Sequence, residues 1–265
     1  MGVNDTRTFT GGKFFIDAAP FVTGIDYSVF DHIKYIAVSN QTFAVPQVGS
    51  ITFSAEINAE TPGTTPDRIV EGTYIASGEP YAAKVLQGQQ AGVTLHMIDF
   101  YTGQLFDWFV SGNTAFTLIE RLPSSITGSP LYAGRDKMYT QIIDEVQITP
   151  GAHTVAIQYT RQGNKSFVEF FLDGKRISKV QNVGVPLDVQ KVKYTGIYPS
   201  LGPGEILKDQ VNYVSIAHGL FSLIDAFPFQ HPEAPELSVS IPLQNRIFGQ
   251  GARGAFDNFK VIIRE

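Results

Sequence analysis

The amino-acid sequence predicts an all-β protein, built as a single antiparallel β-sandwich. Runs of alternating apolar and polar residues recur along the chain at intervals of about 10 residues, a spacing typical of sandwiches and jelly rolls. Turn-forming residues separate the runs, because the 265 residues include 25 glycines and 15 prolines. The 20 phenylalanines and 11 tyrosines favour the half-buried surface of a pleated sheet.

Strands are predicted wherever the apolar residues fall on every second position. In the first strand, apolar residues from Ile51 to Ile57 occupy alternate positions and therefore share one face. Turns that contain Gly103 and Gly174 then connect pairs of consecutive strands as hairpins. The predicted strands are Ser50–Ala59, Val93–Phe100, Gln104–Val110, Thr114–Arg121, Met138–Ile148, His153–Thr160, Phe167–Leu172, Lys175–Val180, Phe221–Phe227 and Ala255–Arg264.

Helical signals are weak. The segment Pro80–Gln90 has a helical composition and allows at most one short helix or a loop. Thr61–Arg68 and Pro199–Gly204 are predicted to be loops. Strands of the same character continue on both sides of these loops, so we expect one domain spanning residues 1–265.

Composition excludes several classes of function. A net charge of −5 argues against a nucleic-acid partner, which would require a basic face. The sequence contains no stretch of 18 apolar residues, so neither a membrane partner nor a membrane span is predicted. The absence of cysteine excludes disulfides and thiolate chemistry, and with no secretory signal at the N-terminus it favours a cytoplasmic location. A small-molecule ligand is the expected partner, and the sequence is compatible with a homodimer.

The segment from His153 to Leu187 resembles the concanavalin A-like lectin and glucanase superfamily, which includes laminin-G-like domains. The resemblance is carried by His153, by Phe171-Leu172-Asp173-Gly174-Lys175 and by Gly184-Val185-Pro186-Leu187. The C-terminal run from Ala255 to Val261 is similar to the closing strand of these folds. Together these segments cover about a third of the chain. The resemblance implies a jelly-roll sandwich, but it does not choose between lectins, glycosidases, lyases and adhesion modules.

The glucanase branch of the superfamily carries its carboxylates on one strand in the pattern Glu-x-Asp-x-Glu. The nearest match is Glu56-Ile57-Asn58-Ala59-Glu60, in which asparagine replaces the central aspartate. This departure, and the turn residues that follow at once, favour a solvent-facing strand end over a glucanase active site.

A cluster of polar and aromatic residues on three successive strands provides the strongest candidate for chemistry. Asp99, Asp107 and Glu120 are candidate proton carriers, since a carboxyl buried among aromatic rings has a raised pKa. The strand register decides which of these carboxyls share a face, and the sequence does not determine that register. The candidate substrate-binding residues are His96, Tyr101, Trp108, Arg121 and Arg246.

Each candidate has a structural alternative. Asp99 could close the hairpin by an Asx hydrogen bond, and Trp108 could belong to the core. Glu120 and Arg121 could form a charge pair that holds a strand end. No cofactor is expected, and the five histidines lack metal-ligand spacing. A structural calcium ion on the loops stays open, as some relatives of this fold bind one.

The function that best fits these residues is a metal-independent carboxylate acid/base enzyme. It would hydrolyse, isomerise or cyclise a small hydroxylated or hydrophobic substrate, without a redox cofactor. The alternatives are a non-catalytic carbohydrate-binding module that uses Tyr101 and Trp108, and an adhesion or assembly domain. A buried carboxyl in an enclosed pocket would favour the enzyme over both alternatives.

Overall fold

The computed structural model describes residues 4–23, 31–192, 197–225 and 231–265. Strands dominate these ranges, and the α-helices are single turns: α1 (Gln87–Gln90), α2 (Ser124–Thr127) and α3 (Leu243–Arg246). A short 3-10 helix spans Pro235–Leu237. The strands are β1 (Thr6–Thr10), β2 (Lys13–Ala18), β3 (Ile33–Ala44), β4 (Gly49–Glu60), β5 (Arg68–Tyr74), β6 (Pro80–Val85), β7 (Gly92–Asp99), β8 (Gln104–Val110), β9 (Thr114–Arg121), β10 (Tyr139–Gln147), β11 (Ala152–Gln162), β12 (Lys165–Leu172), β13 (Lys175–Gln181), β14 (Tyr213–Phe221), β15 (Val239–Ser240) and β16 (Ala252–Arg264).

Two antiparallel sheets form the sandwich. The seven-stranded sheet has the order β1-β2-β16-β4-β11-β12-β13, and the six-stranded sheet has the order β10-β9-β8-β7-β14-β3. A third, small sheet of β15, β5 and β6 has its own apolar cluster that includes Val70 and Ile241. The prediction of an all-β antiparallel sandwich is confirmed.

The main core lies between the two large sheets, because each strand turns its alternate apolar side chains towards the facing sheet. The indole Nε1 of Trp108 on β8 donates a hydrogen bond of 3.0 Å to the carbonyl oxygen of Ala156 on β11. The same indole packs edge-on against the ring of Phe170, with 6.0 Å between the ring centroids. Trp108 therefore connects the two sheets.

The segment that resembles the concanavalin-like superfamily forms the hairpins β11–β12 and β12–β13. Asp173 and Gly174 have φ values of 49° and 77°, and they form the two-residue loop between Leu172 and Lys175. Positive φ at both positions is the requirement of a type I′ hairpin turn. The Asp173 carboxylate is also bonded to His153, so this segment serves the framework of the fold.

Two element predictions need correction. Pro80–Val85 is strand β6, and only Gln87–Gln90 is helical. The strand predicted over Phe221–Phe227 is instead the end of β14 at Phe221, with residues 222–225 in a turn and 226–227 outside the described residues. A single domain over residues 1–265 stays a prediction. Across the described ranges, no helix has the length and apolar character needed to cross a bilayer.

Candidate functional site

The outer face of the six-stranded sheet carries an apolar pocket with a volume of about 250 Å³. This face is a second apolar layer, because alternate residues of β8 and β9, such as Phe109, Phe116 and Leu118, point away from the main core. The pocket is lined mainly by side chains of isoleucine, leucine, valine and phenylalanine: Ile33, Ile36, Val38, Ile98, Phe100, Leu105, Phe109, Leu122, Ile126, Phe221 and Leu223. The polar side chains that line it are His32, His96, Asp107, Glu120 and Thr127.

Five polar residues form a hydrogen-bonded row across four neighbouring strands, and the three in the middle of the row line this pocket. The Thr94 hydroxyl lies 2.6 Å from His96 Nε2, and His96 Nδ1 lies 2.7 Å from Asp107 Oδ1. Asp107 is hydrogen-bonded to Glu120, and the Thr140 hydroxyl donates a bond of 3.0 Å to Glu120 Oε1. We call these five residues the polar row.

The register of the strands explains why the polar row forms. His96 lies directly opposite Asp107 across β7 and β8, because an even loop of four residues, 100–103, connects the strands. Glu120 lies opposite Leu105, two positions from Asp107 on the same face. Diagonal neighbours of this kind are within reach of long side chains. Thr140 on β10 then lies directly opposite Glu120.

His96 is an uncharged imidazole. Its side chain is only 3% exposed, and burial lowers its pKa to about 3. A short contact with a carboxylate would ordinarily favour the protonated ring, but here the cost of burying the charge prevails. With Asp107 as the acceptor, Nδ1 donates to the carboxylate and Nε2 accepts from Thr94. Both ring nitrogens are therefore engaged.

The two carboxyl groups share a proton. Burial raises the pKa of Asp107 and of Glu120 well above the ordinary values. The negative charge of Asp107 raises the pKa of Glu120 further, whereas the bond from Glu120 lowers the pKa of Asp107. Two adjacent carboxylates cannot both ionise at low cost, so the pair keeps a proton and Glu120 holds it.

Three of the predicted residues lie together in this site: His96, Asp107 and Glu120. Asp99 does not join them, because it lies on the opposite face of β7. Its carboxylate accepts hydrogen bonds from the Tyr101 backbone at 2.9 Å and the Thr102 hydroxyl at 2.7 Å, which closes the hairpin. Tyr101 is 53% exposed at the tip of this hairpin and does not line the pocket. The expectation of a catalytic Asp99 and a ligand-stacking Tyr101 is corrected accordingly.

Trp108 is also absent from the pocket. The side chain is fully buried between the two sheets, since alternation along β8 turns it away from Asp107. This position corrects the expectation that Trp108 stacks on a ligand. The ring that does line the pocket from β8 belongs to Phe109.

The two predicted arginines lie elsewhere. Arg121 points to the face opposite Glu120, and its Nη2 donates a bond of 2.5 Å to Glu205. Arg246 lies at the end of α3, which follows β15 of the small sheet in the chain. Its side chain bonds to Asp31 at 3.0 Å and to the Asp225 carbonyl oxygen. Both side chains are buried in ion pairs, and neither lines the pocket. The expectation that they contact the substrate is therefore corrected.

The strand that resembles a glucanase motif lies on the other sheet. Glu56 is bonded at 2.9 Å to Lys13, whose charge neutralises it. Asn58 and Glu60 line a groove on the outer face of the seven-stranded sheet, and the Glu60 side chain is exposed. The solvent-facing interpretation of this strand agrees with these positions.

Several residues of the site were missed by sequence reasoning. His32 and Phe221 line the pocket, and their rings are 5.5 Å apart, centroid to centroid. They reach it because β14 pairs with β7 on one side and β3 on the other. Thr140 carries no local signal, since its role depends on the pairing of β10 with β9. In the described part of the chain, no group of three or more histidine and acidic side chains is arranged to hold a metal ion.

Fold and site together define the class of this protein. It is a β-sandwich whose six-stranded sheet carries the buried polar row beneath an apolar pocket. The chain belongs to a family of unknown function, DUF6081, which matches residues 5–265. None of the curated proteins compared with the chain matches it.

Solved structures similar to the chain are jelly-roll proteins. An exolytic PL7 alginate lyase from Zobellia galactanivorans is 7% identical, with a TM-score of 0.48 over 100% of this chain and 90% of that one. Beta-agarase B from the same organism is 9% identical, with a TM-score of 0.44 over 97% and 79%. A legume lectin-like domain from Entamoeba histolytica is 7% identical, with a TM-score of 0.40 over 98% and 87%. At these identities the likeness concerns the fold alone.

Proposed function

We propose that the protein is an acid/base enzyme that transfers a proton to or from a small apolar molecule. The observation that carries this proposal is the polar row, in which a protonated carboxyl pair and a neutral histidine lie at the base of an apolar pocket. Groups with strongly shifted pKa values in a cleft are typical of proton-transfer sites. An adhesion domain has no need to bury such groups, since each costs free energy.

The lining supports an apolar substrate. Phenylalanine and aliphatic side chains dominate the walls, and a volume of about 250 Å³ suits a compact ligand, since drug-sized ligands occupy pockets of about 300 to 1,000 Å³. A sugar would leave most of its hydroxyl groups without hydrogen-bond partners against such walls. The substrate is therefore hydrophobic rather than highly hydroxylated.

The geometry of the carboxyl pair disfavours glycoside hydrolysis at this site. Retaining and inverting glycosidases keep their carboxyl groups about 5 Å or more apart, on either side of the scissile bond. Asp107 and Glu120 are instead hydrogen-bonded to each other. No sugar ring fits between them, and the arrangement resembles a dyad that holds one proton.

Each member of the polar row has a distinct role in this proposal. Glu120 donates the proton to the substrate, and a proton returns to Glu120 from the substrate when the reaction ends. His96 holds Asp107 in place through Nδ1, and Thr94 fixes the orientation of the imidazole through Nε2. Thr140 positions the Glu120 carboxyl.

Isotope exchange with two small probes tests the proposal. The protein is incubated in D₂O with 3-cyclohexen-1-one or limonene 1,2-epoxide, and isomer formation and deuterium uptake are followed by mass spectrometry. We expect Glu120→Gln to lower the rate of the reactive probe by at least about 100-fold, the usual contribution of a general acid. Glu71→Gln, at an exposed position on the small sheet, serves as the matched control and should have the wild-type rate.

Turnover of neither probe above the rate in buffer would contradict the enzyme proposal. If the probes bind without reacting, a binding module is the better interpretation. An equal rate in wild type and Glu120→Gln would place the chemistry elsewhere on the protein.

A further inference from the structure

The pocket offers little to stabilise a negative charge on a bound substrate. Among the described residues that line it, none is lysine, arginine, asparagine, glutamine or serine. The Thr127 hydroxyl donates to the Pro123 carbonyl oxygen of its own turn, and both nitrogens of His96 are engaged in the polar row. His32, whose ring packs against Phe221, and the Glu120 carboxyl are the remaining polar groups of the lining. An oxyanion intermediate needs several preorganised donors aimed at it, and these residues do not form such an oxyanion hole.

Three aromatic rings line the same pocket, from Phe100, Phe109 and Phe221. The Phe109 and Phe221 rings lie 5.8 Å apart at an interplanar angle of 72°, and the Phe221 ring is 4.9 Å from the imidazole of His96. The rings of Phe109 and Phe221 therefore stand beside the His96 end of the polar row. The faces of aromatic rings carry negative potential and attract cations.

We propose that the substrate is a neutral, apolar molecule that becomes a carbocation when it accepts a proton from Glu120, such as an epoxide of an unsaturated hydrocarbon. This inference rests on the proposed function, since it requires Glu120 to act as the acid. It goes further by assigning the sign of the charge that the pocket stabilises. The rings of Phe109 and Phe221 stabilise the cation, and the carboxyl pair supplies and recovers the proton.

For an epoxide, the reaction balances without any co-reactant. The O–H bond of Glu120 breaks and its proton moves to the epoxide oxygen, while a C–O bond breaks and its electron pair stays on oxygen. The oxygen becomes a hydroxyl group, and the neighbouring carbon carries the positive charge beside Phe221. A C–H bond next to that carbon then breaks, its electrons form a C=C bond, and its proton returns to the glutamate. The product is an allylic alcohol, an isomer of the substrate.

Choline and 3,3-dimethyl-1-butanol provide a matched pair of probes, because they share size and shape and differ in the charge of the quaternary centre. Their binding to the intact protein is measured by NMR titration, following pocket resonances. We expect choline to bind about tenfold more tightly than the alcohol, the scale of a cation–π contribution in a desolvated site. Ordinary apolar binding would favour the alcohol instead, since it has no charge to desolvate.

Fluorination of a single ring separates the role of charge from that of shape. Replacement of Phe221 by 3,4,5-trifluorophenylalanine weakens the negative potential of the ring face and keeps its size. We expect choline to bind about tenfold more weakly to this protein, with the affinity for the alcohol unchanged within twofold. The same replacement at Phe15, on the outer face of the seven-stranded sheet, should change neither affinity.

Equal affinities for the two probes, tighter binding of the alcohol or no binding of either would overturn the inference. The inference would also be overturned if fluorination of Phe221 changed the affinities for both probes equally or changed neither. These outcomes are distinct from failure of the proposed function, which is read from turnover that depends on Glu120. Turnover of the cyclohexenone alone, with no preference for choline, would retain the acid/base enzyme and refute the cationic intermediate.

Discussion

Each buried titratable residue of the polar row makes the stability of the protein depend on pH. The unfolded chain exposes these groups to water, where their pKa values are ordinary, whereas the native state shifts them. Burial disfavours the charged form of every group. It therefore lowers the pKa of the histidine and raises the pKa values of the carboxyl pair. The two contributions can therefore be separated by measuring unfolding at different pH values.

Because burial lowers the pKa of His96, we expect the protein to lose stability in acid. Its native pKa is about 3, so between pH 6.5 and 3 the unfolded chain binds a proton that the native state does not. This difference costs about 1.4 kcal/mol per pH unit, or about 2 kcal/mol at pH 5. We expect His96→Gln to make the stability less sensitive to pH over this range, as measured by urea unfolding at pH 5 and pH 7.

His153 provides the matched control for this prediction. Burial alone would lower the pKa of His153, but its bonds to Asp173 and to the Thr149 carbonyl oxygen together outweigh burial and raise that pKa. A raised histidine pKa contributes stability at low pH that is lost as the pH rises. His153→Gln should therefore leave the acid-dependent loss at least as steep as in the wild type. An unchanged pH dependence in His96→Gln would mean that the native imidazole is protonated.

For Glu120 we expect the opposite dependence, a loss of stability as the pH rises. Its native pKa is raised, so above the unfolded pKa of about 4.3 the unfolded chain releases a proton that the native state keeps. The stability associated with this proton is complete below that pH and is lost as the pH rises. Glu120→Gln keeps the hydrogen bonds without the titration, so its thermal midpoint should exceed that of the wild type at pH 8. The difference in thermal midpoint between the variant and the wild type should disappear as the pH falls towards 4. A variant that is less stable than wild type at pH 8 would contradict a protonated Glu120.

At the scale of the element, two adjacent residues of β8 have different roles because their side chains point to opposite faces of the sheet. Asp107 faces the pocket, and Trp108 faces the other sheet. We expect Trp108→Phe to lower the free energy of unfolding by about 2 kcal/mol, because a cavity opens in the core and the Ala156 carbonyl oxygen loses its donor. The affinity for the probe ligands should stay within twofold, as measured by NMR titration. A selective loss of ligand binding in a stable variant would place Trp108 in the site after all.

The same strand shows how far the sequence can be interpreted. The patterns of β7, β8 and β9 are strong enough to predict these strands to within a residue, and adjacent hairpins bring His96, Asp107 and Glu120 together. Which of them share a face depended on the loop 100–103, whose length fixes the register. Asp99 and Trp108 lie on the faces of their strands opposite His96 and Asp107, and without the register the sequence could not separate the two faces.

At the scale of the whole molecule, contacts between distant parts of the chain were beyond sequence reasoning. Strand β1 is exposed along its whole length and shows no alternation to detect. β3 and β14 pair across more than 100 residues of sequence, and they bring His32 and Phe221 to the pocket. The apolar lining of this side of the pocket results from this long-range assembly.

The polar row runs across the strands, in the direction of the backbone hydrogen bonds. Its spacing is therefore set by the separation between strands, about 4.8 Å, which hardly varies among sheets. The rim of the pocket, by contrast, comes from the hairpin tip at Phe100 and the turn of α2 at Ile126. Changes in those loops can reshape the pocket while the hydrogen-bond distances of the polar row stay constant. On the proposed function, loop changes of this kind would alter which ligand fits and leave the acid/base groups in place.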